Sequence, residues 1–352
     1  MKKSISAFLF AVALSQVPAA AQTFYVGSCH AGSFASIDAA ISSSSVPSGA
    51  TIDVCPGNYN EQVIISKPLT LQGITSNNSD AAVIGDAEAY VTAPLIKGGN
   101  IRPTVWVTAG PVNISNLTIL ESPASPACAN SSTAGIYYAS GAYGTVNHAD
   151  ISLSPAVGGN PCTLPVVGLW AENSSSTVDT VTIKNSTIEA SDMEIYALGG
   201  QPAGSAPVMS INITGNLISI ANNGLGYYGV YLDQATGSIS GNFISGGFNR
   251  YGAQYAIVSN NPAGAPPTLR NNTVNAETGL LLGGSGATVQ SNRVRATTGV
   301  NLNCLTATVS QNSFFPNLSV SVSIRDAFFK APAALSTPGS FFGVYGRYHN
   351  CP

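Results

Sequence analysis

Charge is scarce in this chain. Lys, Arg, Asp and Glu make up 8% of its 352 residues and leave a formal net charge of −3. Long solvated helices need a charged face, so a mainly helical protein is excluded. No cluster of Lys or Arg is present, so the counterion release that drives nucleic-acid binding is missing and nucleic acid is not expected as a partner. Histidine is rarer still, with three residues, and no two of the six cysteines have C-x-x-C spacing. A zinc site is therefore not expected, and the sequence calls for no metal or other cofactor. Beyond the N-terminus no apolar run approaches the ~20 residues that span a bilayer, so no membrane insertion is expected.

The N-terminus itself carries Lys2 and Lys3, an apolar run over residues 5–14, and Ala19-Ala20-Ala21 before Gln22. This is the charge, apolar core and small-residue cleavage pattern of a secretory signal peptide. Residues 1–21 are assigned to it, and the expected destination is secreted, periplasmic or cell surface. An even number of cysteines suits an oxidising compartment. Their connectivity stays open, with proximity along the chain favouring Cys29 with Cys55, Cys128 with Cys162, and Cys304 with Cys351.

Gly, Ser, Thr, Asn and β-branched residues are abundant, the composition of short strands joined by tight turns. Over residues 33–41, Phe34, Ile37, Ala40 and Ile41 share a helical face with Ser33 as N-cap, which predicts one short helix. Strands are expected over 51–55, 62–65 and 69–73. A helix ahead of these would cover the open end of a stack of strands.

The body carries a degenerate repeat. One element is an Asn in a short strand start, at Asn116, Asn185, Asn216, Asn242, Asn272, Asn292 and Asn312. A second element, commonly introduced by Gly, places Ile136, Leu169, Ile195, Val230, Ile257, Leu280 and Val300 at one apolar position. Each repeat buries its apolar side only against the next, so the fold expected is all-β, a single-stranded right-handed parallel β-helix. The asparagines are read as an internal ladder of amides bonded from coil to coil. Residues 22–314 form this domain, with the N-terminal capping helix included. Residues 315–352, rich in aromatics, form a C-terminal cap.

Side chains alternate across a strand, so the residue after each inward position points outward. These residues are Tyr137, Trp170, Tyr196 and Tyr231, then Val258, Leu281 and Asn301. The four aromatics form a column suited to the apolar faces of sugar rings, and polysaccharide is the partner expected. The alternative is a covered face, under loops at 155–165 and 201–207. Two positions further along each strand lie Glu172 and Asp233, two coils apart. Their backbones would sit about 9 to 10 Å from each other, near the separation an inverting glycosidase needs for its acid and base. The alternative is a pair of solvated acids. A lyase reading takes Arg250 as base, with Asp233 and Asp192 supporting a calcium bridge to a uronate.

The N-terminal passage Phe34-x-x-Ile37-x-x-Ala40-Ile41, Thr51-Ile52-x-Val54, Pro56-Gly57-x-Tyr59-x-Glu61 and Lys67-Pro68-Leu69-Thr70-Leu71-x-Gly73 resembles right-handed parallel β-helix proteins of the pectin-lyase-like superfamily, including pectin methylesterases. The resemblance covers roughly the first fifth of the chain and implies the same fold. In those esterases the segment matching Gly57-Asn58-Tyr59-Asn60-Glu61 is not catalytic. Their downstream catalytic motifs are absent here, as are those of pectate lyases and polygalacturonases. The resulting expectation is a secreted, carbohydrate-engaging β-helix protein. Hydrolysis or elimination of cell-wall or matrix glycans stands against a non-catalytic cell-surface or adhesion scaffold, and the oligomeric state is open.

Overall fold

Strand Leu69–Gly73 alternates buried and half-buried residues, and Val63–Ile65 and Asp179–Lys184 do the same. Such a segment has one apolar side and needs a neighbour on each edge. In the computed structural model Leu69–Gly73 and Asp179–Lys184 each lie between the strands one coil before and one coil after, and Val63–Ile65 pairs with Asn100–Val107 one coil after. The structure describes residues 22–75, 81–121, 131–153, 165–200, 208–220, 227–246, 254–261, 267–284, 287–303, 306–325, 328–329 and 344–347. The proposed signal peptide and Cys128, Cys162, Cys304, Cys351 and Arg250 lie outside them.

Three ladders of parallel strands run along the rod. The first begins at Thr23–Val26 and passes through Thr51–Val54, Leu69–Gly73, Val112–Ser115, Gly144–Asn147, Asp179–Lys184 and onward to Phe328–Phe329. The second contains Thr118–Glu121, Asp150–Leu153, Thr187–Ala190, Leu217–Ile220 and Phe243–Gly246. The third contains Asn100–Val107, Ser132–Tyr138, Val166–Asn173, Met193–Gly199, Tyr227–Asp233 and Gln254–Asn261. The longer strands Thr273–Gly284 and Arg293–Asn303 continue both the second and the third. This is a parallel β-helix, wound right-handedly as parallel crossovers are. Its interior is one cluster of buried Ile, Val, Leu and Ala running from Val26 to Val300. Each fully buried Ile, Val or Leu there contributes roughly 1.5–3 kcal/mol. Parallel pairing runs on through Ser313–Arg325 to Val344–Arg347, so strand stacking extends into the segment expected to act as a cap.

Two local expectations need correction. The helix is Ile37–Ser42, with Ser36 rather than Ser33 as N-cap, its side chain accepting from Ala39 N at 3.1 Å. The Ser33 hydroxyl instead donates to His30 O. Glu61 completes the cap, accepting from the amides of Ile37 and Asp38 at 2.8 and 3.0 Å. A carboxylate at a helix start satisfies amides that have no intrahelical acceptor. The helix also follows strand Thr23–Val26 rather than preceding every strand. The Cys29–Cys55 disulfide closes this end, with a Cα–Cα distance of 5.6 Å.

The second correction concerns the asparagines. Asn216, Asn242, Asn272, Asn292 and Asn312 form the ladder, each amide nitrogen donating to the next side-chain oxygen at 2.9–3.0 Å. Asn116 and Asn185 lie one position earlier, in left-handed turns with φ of 54° and 51°. His148, Asn271, Ser291 and Gln311 hold the same turn in other coils. Asn adopts this conformation more readily than most residues, so it serves both positions. At the ladder position of the Asn185 coil stands Ser186, whose amide donates to Asn216 Oδ1 at 2.9 Å.

Candidate functional site

The third ladder carries the site. Ile136, Leu169, Ile195, Val230, Ile257, Leu280 and Val300 are in register from coil to coil and buried. The preceding position is often glycine because the coils approach closely there. A Cβ on Gly135, Gly168 or Gly229 would lie 2.6–2.8 Å from the carbonyl oxygen of the next coil. The residue that follows each apolar position faces out of the core. Tyr137, Trp170, Tyr196 and Tyr231 accordingly form one column. Trp106 begins it one coil earlier, opposite Tyr137. The same offset from Val105 identifies Trp106 in the sequence, but the Gly-led repeat starts only at Gly135 and leaves it out.

The rings touch in sequence. Trp170 meets Tyr196 edge-on, with centroids 4.7 Å apart, and Tyr196 meets Tyr231 at 5.4 Å. The contact then steps sideways: Tyr231 stacks on Tyr228 at 5.0 Å, and Tyr228 on Tyr255 at 5.3 Å. Tyr228 and Tyr255 are paired residues of neighbouring coils. They were not among the expected site residues because Gly229 interrupts the alternation that marks Tyr231 as outward.

An open aromatic surface along the whole column is not what forms. Tyr137, Trp170 and Tyr196 are 1%, 7% and 7% exposed, whereas Tyr231, Tyr228 and Tyr255 are half-buried. The covering element is residues 93–99. Ala93–Pro94 pairs antiparallel with the start of Asn100–Val107, the one antiparallel pair among the described strands. Ala93, Leu95 and Ile96 pack with Tyr137, Trp170, Tyr196 and Leu198 in a second apolar cluster outside the main core. Of the loops expected to cover this face, residues 155–164 and 201–207 lie outside the described residues.

Glu172 and Asp233 face Leu198 from either side, two coils apart in register as the sequence places them. Neither is a solvated acid: they are 2% and 6% exposed. Glu172 accepts from Tyr137 Oη at 2.5 Å, Ile96 N at 3.1 Å and Trp170 Nε1 at 3.3 Å. Burial raises its pKa above the ordinary carboxyl value, and these three donors oppose the rise. Asp233 accepts a charged hydrogen bond from Lys97 Nζ, with Tyr196 Oη and Asn260 Nδ2 at 3.5 Å. Both carboxylates thus hold the 93–99 strap, one by its backbone and one by its lysine. Burial, reinforced by these acids, also raises the Tyr137 and Tyr196 phenols, so both stay protonated donors.

Asp192 lies elsewhere in its coil, accepting from Val166 N at 2.8 Å, with its pKa raised by burial. Among the described residues no group of three or more His, Cys, Asp or Glu is placed to hold a metal ion. No described helix is long and apolar enough to cross a membrane.

No family model matches the chain, and none of the curated proteins does. Solved structures do. Pectin methylesterase from carrot aligns with a TM-score of 0.49 and 10% identity over 93% of this chain and 88% of its own. Pectin methylesterase PemA from Erwinia chrysanthemi aligns with a TM-score of 0.48 and 13% identity over 72% of this chain and 79% of its own. An alginate lyase from Paenibacillus aligns with a TM-score of 0.38 and 12% identity over 84% and 98%.

Proposed function

We propose that this is an exported polysaccharide-binding β-helix protein whose contact surface is the open end of the aromatic column, Tyr231, Tyr228 and Tyr255. The observation that carries this reading is the stack of three half-buried tyrosines, two on one coil and one on the next. Rings held by neighbouring rings lose little entropy when a ligand lands on them, and their phenol edges remain available to sugar hydroxyls. Export is supported by the signal-peptide pattern in the sequence and by the Cys29–Cys55 disulfide. The similar solved structures include enzymes whose names refer to pectin and alginate, and anionic plant or bacterial glycans head the panel to be tested on that account.

A second reading, hydrolysis, is favoured by one feature: Glu172 has the raised pKa that a general acid needs and lies two coils from a second carboxylate. It requires the 93–99 strap to leave, because the strap occupies both acids. The test is binding of purified protein to immobilised glycans, with parallel assays for reducing ends, unsaturated uronates and released methanol. Retention without product, lost in Tyr228→Ala and Tyr255→Ala, is the expected result. Product formation abolished by Glu172→Gln would replace the binding reading with the hydrolytic one, and neither retention nor product on any glycan would reject both.

A further inference from the structure

The outer face of the second ladder is ordered in a way the glycan reading does not use. Going along the rod, one column reads Asp150, Thr187, Leu217, Phe243, Thr273, Arg293, each paired in register with the next. Leu217 and Phe243 at its centre are each 46% exposed, a rarity among the large apolar residues of the described chain. Asp150 and Arg293, flanking this stretch with Thr118 and Ser313 next in register beyond them, are exposed as well. The adjacent column repeats the polarity, with exposed Glu189 toward the first end and exposed Arg295 at the other.

Consecutive coils lie about 4.8 Å apart, so Asp150 and Arg293 stand about 24 Å apart, at equal distances from the midpoint between Leu217 and Phe243. A two-fold axis through that midpoint, across the rod, superposes the column on its own reverse. Asp150 then meets Arg293 of the partner subunit, Thr187 meets Thr273 of the partner subunit, and Leu217 meets Phe243 of the partner subunit. All three contacts occur twice. An isologous interface needs this self-complementarity. The other face-to-face arrangement, with rods parallel, would set Asp150 against its own copy and repel. A polyanionic glycan fits poorly, since acids stand at one end. Arg293 needs no vacancy for the contact: a guanidinium carries several donors, and an intrachain bond leaves others.

We propose that this face is an antiparallel homodimer interface. The strip is small beside a standard interface, so the dimer is weak. It lies on a different ladder from the tyrosine stack and stands or falls apart from the glycan reading.

Sedimentation velocity from micromolar to about millimolar protein reads the equilibrium. A monomer–dimer transition weakened by salt is expected. Asp150→Arg and Arg293→Asp alone should each weaken it at least about tenfold, and the double charge swap in one chain should restore it, because each new pair is again opposite in sign. Both positions are exposed, and unchanged circular dichroism verifies the fold of each variant. A short bismaleimide should join Asp150→Cys chains to Arg293→Cys chains in a mixture but leave Asp150→Cys chains alone unlinked, their thiols being about 24 Å apart. A monomer throughout, or a dimer indifferent to both single reversals, overturns the proposal. So does capture of a glycan by this face with no self-association.

Discussion

The covered and the open end of the aromatic run lie on one face of the rod and have opposite fates. Tyr137, Trp170 and Tyr196 lie under residues 93–99 and belong to an apolar cluster, while Tyr231, Tyr228 and Tyr255 stack on one another half in solvent. Repetition along a β-helix fixes where side chains line up; what crosses the face decides whether they serve stability or recognition. One short antiparallel turn converts three rings of a surface into a second core.

That contrast is broken most severely by truncation under the strap. Trp170→Ala leaves a void that the rigid strands cannot close and also removes a donor from Glu172. A loss of about 3–5 kcal/mol is expected in urea unfolding. At the open end Tyr255→Ala should cost under about 1 kcal/mol, yet lower affinity for a bound glycan about tenfold, as read by isothermal titration. Equal stability losses at the two ends would erase the distinction.

Acidity sharpens the comparison. Burial raises the native pKa of Glu172 above its ordinary value of 4.5. Native and unfolded forms are both protonated well below that value, so the acid then contributes no pH dependence to stability. As pH rises past it the unfolded chain ionises first, and the native state loses relative stability until Glu172 itself ionises. Glu172→Gln keeps an oxygen for Tyr137 and Ile96 and should flatten the decline. Denaturant midpoints across acidic to neutral pH measure it, and parallel curves for the two proteins would contradict it.

The smallest effect concerns the lysine that pins the strap. Lys97 is 52% exposed on its side chain, so its pair with Asp233 is screened, and the double change Lys97→Met with Asp233→Asn, which leaves no buried carboxylate unpaired, should change global stability by less than about 1 kcal/mol. Amide exchange over residues 95–99 should nevertheless accelerate, while exchange in Tyr227–Asp233 stays as it was.

How far these features were legible depends on whether they repeat. The inward column, the outward aromatics and the two-coil spacing of Glu172 and Asp233 follow from alternation and stacking, and the register agrees. At Asn116 and Asn185 the sequence repeat falls one residue before the ladder position, because Asn suits both the left-handed turn and the ladder site. Ser33 and Ser36 are both sound caps by composition; Glu61, distant in sequence, decides between them by reaching the Ile37 and Asp38 amides. The strap carries no period at all. Leu95-Ile96 ahead of Lys97-Gly98-Gly99 marks an apolar turn, but where that turn lands depends on contacts with strands 76 and 136 residues onward, visible only in the folded chain.

Hydroxyl-radical footprinting of the free and glycan-bound protein, read ring by ring in the mass spectrometer, examines both ends of the column together. Tyr228 and Tyr255 should label in the free protein and be protected by the glycan, with Trp170 unlabelled in both states. Strong labelling of Trp170 without ligand, or labelling of Tyr228 and Tyr255 unchanged by a glycan that binds, would contradict the account.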